Sequence, residues 1–508
     1  MKRRKFIYQT SLGLGGLLPV VNQLKALEIS NGPYLTTGIK IGEITETEAI
    51  IWGRLTKAVK PVGKDAPIPG YTYYDEKDGK WYDHQYFKKK YKEDRPDRIT
   101  KVVFPEGYTV EQLEGAVPGS AGEMRLLFKK KGAKAWKEMN WLQVTNSTDF
   151  SGKFHLKNLQ PGAEYEIKVE ARPSGGKTVS AFLNGRFATA VDRNSEKDIH
   201  FMVTTCHEYD HKDEPDGKGF KIYKQMQALS PDFLVHTGDV LYYDYKAKSV
   251  PLAYWHWQRM FGLTNCIDFY RQVPCYFMKD DHDTWMNDCY PQSKTRFMGD
   301  LTFQEGVKIF REQVPMSAGQ KPYRTFRWGK DLQIWVMEGR EYRMDNTLPD
   351  GPGKTIWGKE QMAWFKETFN ASDATYRVLI SATPIVGPDR PQKRDNHANS
   401  GFAHEGAAIR EFLASHKNVF VVCGDRHWQY VSKDSKTGLM EFSCGPGSDE
   451  HASGWNKDDV LPEHQYLNIV GGFLGVEVKR TSGTPAIRFT HYSVDGKELF
   501  VKNFSTEA

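Results

Sequence analysis

The chain has 508 residues and a formal net charge of +6, with 39% hydrophobic and 13% aromatic residues. A chain of this length is too long for one ordinary core, so we expect two domains. No apolar stretch beyond the N-terminus approaches the roughly 18 residues that a membrane span requires, so we expect no stable membrane anchor.

The first 26 residues are typical of an export signal. A basic start precedes a Gly-rich apolar run, and no acidic residue occurs before Glu28. Arg3 and Arg4 followed by Phe6 favour a twin-arginine signal peptide, which makes the export machinery a partner and predicts a periplasmic or secreted protein. A basic N-terminal helix is the alternative. Cleavage would bring the charge to about +1, so the charge balance predicts no nucleic-acid binding.

Residues 28–190 are predicted to form an all-β domain. Strand-like segments such as 49–54 and 165–171 are bounded by Gly, Pro and Asn. The stretch from Leu159 to Val169 resembles the fibronectin type III signature, in which a turn precedes a Tyr-bearing strand, so we expect a fibronectin type III-like sandwich. A long insertion at 58–105 interrupts this pattern, and the sequence predicts no role for it.

Residues 198–508 are predicted to form a layered α/β domain, because apolar strand-like runs alternate there with helical patterns. Each apolar run ends on a polar cluster. Open α/β sheets place ligands beyond the carboxyl ends of their strands. We therefore expect the clusters to meet in one crevice; they follow runs that begin at His200, Asp232, Val273, Leu332 and Val419.

Three candidate metal ligands follow the first two runs. In Gly238-Asp-Val-Leu-Tyr, the glycine lets the backbone turn sharply and aim the Asp239 carboxylate, which can bridge two metals. Tyr242 would reach the same metal as a phenolate and would favour a hard trivalent ion such as Fe(III). Cys206 is a further donor, since a thiol beside a metal is deprotonated. Taken singly, a surface-turn aspartate and a buried cysteine are the plainer interpretations.

Two later clusters complete the predicted binuclear centre. After the third run, three aspartates surround one histidine, and these carboxylates would repel one another unless cations neutralised them. Asp281 is predicted to bind the second metal, and His282 to act as an acid or charge stabiliser at the leaving group. Asp425 and His427 would face one side of an extended segment. A solvated acidic loop and a core histidine are the alternatives, and Asn287 is a weaker candidate ligand.

Other polar groups leave more than one interpretation open. Arg340, with Arg343 nearby, offers a fork that suits either a substrate phosphate or a structural carboxylate. The loop 384–404 could form the entrance to the substrate site, but a solvated loop is favoured for most of its charged residues.

If Cys206 is a ligand, five cysteines remain, and export would permit one disulfide within the set Cys266, Cys275 and Cys289.

These motifs resemble the alkaline phosphatase D family of metallophosphoesterases over most of the chain. The most specific marks are Cys206, Gly238-Asp-Val-Leu-Tyr, Asp280-Asp-His-Asp and Gly424-Asp-Arg-His. Purple acid phosphatases share the Gly-Asp-x-x-Tyr element, but their Gly-His-x-His ending is absent. The resemblance implies a metallophosphoesterase domain with iron on Cys206, Asp239, Tyr242 and Asp425, and calcium on Asp239, Asp281 and His427. Unlike the family pattern, Thr284-Trp-Met separates the acidic cluster from Asn287.

The sequence thus predicts an exported phosphatase that acts on small-molecule phosphate monoesters, diesters or both. A metal-bound hydroxide would attack phosphorus in line, while the metals and Arg340 neutralise the equatorial oxygens and His282 assists the departing alkoxide. One alternative is a phospholipase D-like phosphodiesterase on the same metal core. The other is an inactive cell-surface binding protein.

Overall fold

The computed structural model describes residues 32–506 except residues 84, 87, 88, 90–98, 245 and 296. The predicted signal peptide, residues 1–26, lies outside the described residues. Among the described helices, none is long and apolar enough to cross a bilayer.

The described residues form strands throughout, with short 3₁₀ helices at Val110–Gln112, Asn146–Thr148, Tyr209–His211 and Asp449–His451. The strands are β1 (Ile39–Gly42), β2 (Ala49–Arg54), β3 (Gly70–Asp75), β4 (Lys80–Asp83), β5 (Thr100–Val103), β6 (Gly122–Lys130), β7 (Lys137–Glu138), β8 (Leu142–Val144), β9 (Ser151–Leu156), β10 (Glu164–Arg172), β11 (Ala181–Ala188), β12 (Ile199–Thr204), β13 (Phe233–His236), β14 (Cys275–Phe277), β15 (Arg324–Trp328), β16 (Leu332–Val336), β17 (Tyr376–Ser381), β18 (Val419–Cys423), β19 (Gln429–Lys433), β20 (Met440–Cys444), β21 (His464–Asn468), β22 (Phe473–Thr481), β23 (Thr484–Tyr492) and β24 (Glu498–Ser505). The helices are α1 (Ile222–Ala228), α2 (Val250–Phe261), α3 (Thr264–Tyr270), α4 (Phe303–Gln313), α5 (Gly358–Asn370) and α6 (Ala403–Ala414).

Two large mixed sheets dominate the described part of the chain. The nine-stranded sheet runs β24-β23-β22-β12-β13-β14-β1-β2-β9, and the seven-stranded sheet runs β15-β16-β17-β18-β20-β19-β21. Strands β12, β13 and β14 are parallel, as are β16, β17, β18 and β20. The carboxyl ends of each parallel set therefore meet at one edge of its sheet, which is where the predicted polar clusters begin.

The two large sheets pack face to face around a single core. Phe233 of β13 stacks on Trp328 of β15 at 4.6 Å between ring centroids, and Phe442 of β20 stacks on Phe489 of β23 at 4.0 Å. Because side chains alternate along a strand, the opposite faces are also apolar and take helices. Helices α1–α4 cover the nine-stranded sheet, and α5 and α6 cover the other. The predicted layered α/β architecture is confirmed.

The N-terminal region is strand-rich, as predicted, but three of its strands join the large sheet. Strand β1 pairs in parallel with β14, with Gly42 opposite Cys275, and β2 and β9 extend the sheet from there. Strands β6, β7, β8, β10 and β11 form a separate five-stranded sheet, and the 58–105 insertion holds the three-stranded sheet β4-β3-β5. The fibronectin type III-like assignment and the boundaries at 190 and 198 stay predictions.

All six cysteines are buried and unpaired. The disulfide considered for Cys266, Cys275 and Cys289 is therefore absent from this structure. Cys266 and Cys275 instead belong to the apolar cluster between the nine-stranded sheet and its helices, where a thiol packs as a small hydrophobic group.

Candidate metal centre

Three of the predicted ligands occupy an unusual backbone conformation directly beyond their strands. Cys206, Asp239 and Asp425 follow β12, β13 and β18, and their φ angles are 54°, 52° and 62°. Residues other than glycine rarely adopt this left-handed region, and such conformations concentrate at functional sites. The backbone turns sharply at each of these strand ends, and that turn aims the three side chains into a common space.

Two glycines allow the strand ends to come close enough to form that space. A Cβ atom on Gly238 would lie 2.7 Å from the Cβ of Asp280. A Cβ atom on Gly424 would lie 2.4 Å from Oγ1 of Thr237 and 2.7 Å from Oγ1 of Thr205. No side chain fits at either position. Gly238 allows two loops of the nine-stranded sheet to approach each other, and Gly424 allows a loop of the seven-stranded sheet to approach that sheet.

Asp239 lies at the middle of the cluster of donors. Its Oδ2 is 3.4 Å from the Cys206 sulfur and 3.4 Å from the Tyr242 hydroxyl, and that hydroxyl is 3.3 Å from Nε2 of His427. Three groups with donor atoms within 4.8 Å of one another share this aspartate: Cys206–Asp239–His427, Asp239–Asp281–His282 and Asp239–Asp280–Asp425. The structure thus brings together all six predicted metal ligands and His282.

The electrostatics of the cluster fit a bound cation. Oδ1 of Asp239 and Oδ2 of Asp280 are buried and accept no hydrogen bond from any described residue. Burial raises the pKa of Asp239, with the neighbouring carboxylates adding to the shift, and burial likewise raises the pKa values of Cys206 and Tyr242. Buried acidic groups of this kind are costly unless a positive charge stabilises them, and a metal ion supplies that charge.

Arg340 supplies part of the positive charge from inside the protein. It is fully buried, its Nε donates to Oδ1 of Asp280 at 2.5 Å, and its Nη2 lies 3.5 Å from Oδ1 of Asp281. The sequence allows the Arg340 guanidinium to bind either a substrate phosphate or a structural carboxylate. The contact with structural carboxylates is present. Arg343 likewise binds protein groups, namely Oδ1 of Asn346 and the carbonyl of Asp395.

The aspartates around the centre differ in what they bind. Asp283 accepts backbone N–H groups from Val240 and Asp280 at 3.0 and 2.8 Å, so it fixes the conformation of the loop. Asp244 binds Nδ1 of His282 at 2.8 Å and orients its ring. Asn287, the weaker candidate ligand, is exposed, and its side chain donates to Asp288.

The interpretation of 384–404 as a solvated loop is wrong for four of its residues, because Asp389, Asp395, Asn396 and His397 are buried. Nη2 of Arg426 binds Oδ2 of Asp389 at 2.8 Å and lies 3.3 Å from Oδ2 of Asp395. The same nitrogen lies 3.0 Å from Oδ2 of Asp425. Burial raises the pKa of Asp425 to about 6, although Arg426 opposes that shift.

Sequence reasoning missed three residues of the site. Asp280 was placed in the acidic cluster but not among the ligands, and Asp244 was not singled out. His451 was also missed, although it follows β20, which is parallel to β18 and ends at the same edge of the sheet. The polar loop after that strand, Gly445-Pro-Gly-Ser-Asp-Glu-His, is the signal that could have identified it.

A model of the PhoD-like phosphatase family matches residues 264–468. Alkaline phosphatase D of Bacillus subtilis (strain 168) is 23% identical over 342 residues, which cover 54% of this chain and 55% of that protein. The chain is therefore similar to PhoD-like phosphatases over residues 264–468. It spans about half the length of the curated relative that it matches. The family match includes Asp281, His282, Arg340, Asp425 and His427, whereas the predicted ligands Cys206, Asp239 and Tyr242 precede it.

Solved structures show the same fold over nearly the whole chain. A structure of PhoD superposes with a TM-score of 0.67 and 16% identity, covering 94% of this chain and 91% of that one. The structure of a purple acid phosphatase isolated from yellow lupin (Lupinus luteus) seeds gives a TM-score of 0.58 and 11% identity, covering 94% and 96%. At these identities the likeness establishes the fold.

Proposed function

We propose that this chain hydrolyses phosphate esters of small molecules, monoesters or diesters, at a binuclear metal centre. The observation that carries the proposal is the convergence on Asp239 of donors from separate strand ends in both large sheets. The similarity of residues 264–468 to PhoD-like phosphatases supports the same activity. The residues that would hold the metals are Cys206, Asp239, Tyr242, Asp281, Asp425 and His427.

We propose Fe(III) and Ca(II) as the two metals, because of the types of donor atom that surround each position. A thiol, a phenol and carboxylates surround the position near Cys206, and that mixture suits iron, whereas the oxygen-rich side near Asp281 suits calcium. Bound there, the metals would activate water as a nucleophile and act as Lewis acids toward the phosphoryl oxygens.

His282 is the proposed acid for the leaving group. Burial alone would lower its pKa, but Asp244, Asp281 and Asp239 outweigh burial and hold the pKa well above its usual value. Its Nδ1 is engaged by Asp244, so Nε2 is the atom that would serve a substrate oxygen. A charged imidazole positioned in this way can hydrogen-bond to a developing alkoxide and then protonate it.

Lys393 is the more accessible cation for a substrate phosphate. Arg340 is buried against Asp280, and its predicted action on the equatorial oxygens remains a proposal. The Lys393 ammonium lies 3.4 Å from Oδ2 of Asp288 and 3.5 Å from Oδ2 of Asp395, and 26% of its side chain is exposed. It therefore lies beside Asp288 and Asp395, with access to solvent. Export through the twin-arginine machinery to the periplasm or beyond also remains part of the proposal.

The test of the function is the variant Asp239→Asn, with Asp458→Asn in an exposed loop as the matched control. Hydrolysis of para-nitrophenyl phosphate and of bis-para-nitrophenyl phosphate is measured side by side. We expect Asp239→Asn to lose at least about 100-fold of kcat/KM on whichever ester the wild type cleaves, with an unchanged circular dichroism spectrum. Activity equal to that of Asp458→Asn would refute the proposal.

A further inference from the structure

We propose that His451 binds a cation of this centre through Nε2, together with Tyr242 and His427. The inference rests on the proposed function, since it adds a ligand to the same metal centre. The chemical class of ion at this position is a first-row transition metal, because its donors are two imidazoles and a phenol. Calcium, which takes oxygen ligands, is disfavoured there.

The three donor atoms form a nearly equilateral triangle. Nε2 of His451 lies 3.0 Å from Oη of Tyr242 and 3.1 Å from Nε2 of His427, and these last two atoms are 3.3 Å apart. Donors that bind one transition metal at about 2.0–2.2 Å are separated by about 3.0–3.5 Å. The triangle therefore already has the size that a shared ion requires.

His211 can hold His451 in the ring form that binds a metal. Nδ1 of His451 faces Nδ1 of His211 at 2.8 Å, so one of the two nitrogens must carry the hydrogen between them. When His451 donates it, Nε2 presents a lone pair to Tyr242 and His427. Hydrogen bonding of the second ring nitrogen is the usual way in which a metal-binding histidine is oriented. His211 is thus a positioning residue.

The loop that carries His451 is tied to the backbone of two proposed ligands. The N–H of Gly447 donates to the carbonyl of Cys206 at 3.2 Å, and the N–H of Ser453 donates to the carbonyl of His427 at 3.0 Å. His451 itself is 9% exposed. A ligand supported on both sides in this way has a defined position before any ion binds.

The experiment titrates CoCl₂ into the full chain after chelator treatment, with calorimetry for affinity and visible absorption for the ligand field. His451→Gln is compared with wild type and with His416→Gln; His416 follows the end of α6 and contacts Asn370. We expect His451→Gln to bind one cobalt equivalent at least about 10-fold more weakly and to change the visible spectrum, with the control unchanged. His451→Ala should recover the wild-type spectrum when imidazole is added.

The outcomes separate this inference from the proposed function. If wild type takes up no cobalt, the metal centre itself fails, and His451 with it. If wild type binds cobalt and His451→Gln binds it with the same affinity and spectrum, then His451 only hydrogen-bonds to Tyr242 and His427, and the inference is wrong. If the midpoint of urea unfolding is the same for His451→Gln as for wild type, unfolding is excluded as the reason for weaker cobalt binding.

Discussion

Asp239 combines three properties that rarely coincide in one residue. It has a left-handed backbone, it is completely buried, and one of its carboxylate oxygens accepts no hydrogen bond from the described residues. Each property costs free energy in a protein that only has to fold. A cation shared with the neighbouring donors would offset these costs, because it would stabilise the charge that burial otherwise suppresses.

Arg340 offers the clearest prediction at the scale of single residues. Arg340→Met would leave Asp280 and Asp281 without the guanidinium, and we expect the free energy of unfolding to fall by about 3–5 kcal/mol. Arg193→Met removes an exposed contact with Asp373 and should cost less than about 1 kcal/mol. Urea unfolding monitored by tryptophan fluorescence measures both. Equal losses in the two variants would show that the buried arginine does not stabilise the acidic cluster.

Loops that follow parallel strands are the elements that build the site, and one buried glutamate fixes the most complex of them. Glu441 of β20 accepts the N–H groups of Ile385, Val386 and Gly387 at 2.6, 2.9 and 2.9 Å. The loop then continues to the two aspartates that bind Arg426 beside the proposed metal ligands. Strand β20 therefore fixes the position of this loop relative to the candidate metal centre.

Glu441→Gln should loosen that loop. The amide group cannot accept all three N–H groups, so we expect a loss of about 1–3 kcal/mol in stability. Hydrogen exchange at residues 385–387 should accelerate by about 10-fold or more, while β18 keeps its protection. Glu498→Gln, at an exposed pair with Arg488, is the control. Unchanged exchange at 385–387 would mean that the loop is held by other contacts.

How much of the site the sequence revealed depends on the distance along the chain. The convergence of Asp239, Asp281 and Asp425 can be predicted because each follows an apolar strand, and strand ends converge by a general rule. The partner of Arg340 could not be predicted, since 60 residues separate it from Asp280 and only the packing of two sheets brings them together. His451 was missed because it lies well beyond the end of β20, although the polar loop that carries it follows a parallel strand.

At the scale of the whole molecule, the N-terminal strands are part of the sheet that carries the candidate centre. The sequence predicts a separate β domain because strand-like segments bounded by turn residues fill residues 28–190, before the α/β pattern begins at residue 198. Strand pairing between β1 and β14 is a long-range event that no local pattern reports, yet it covers the edge of the parallel strands. A Cβ atom on Gly42 would lie 2.5 Å from the carbonyl oxygen of Cys275, which shows how closely these strands pack.

We expect β1 and β14 to unfold together. Native-state hydrogen exchange should give amides of both strands the same opening free energy, because neither can open without exposing the core they share. Amides of β3–β5, the small sheet of the insertion, should open at lower free energy and serve as the internal comparison. Exchange of β1 at the rate of the insertion sheet would instead support an independent N-terminal domain.

The most direct test of the account is elemental analysis of the full chain purified without chelators. If the thiol, phenol, carboxylates and imidazoles share a pair of cations, the wild type should retain about two metal ions per chain. Asp239→Asn, folded to the same extent, should retain less than one. A folded wild type without bound metal, or a variant with the full complement, would contradict the account.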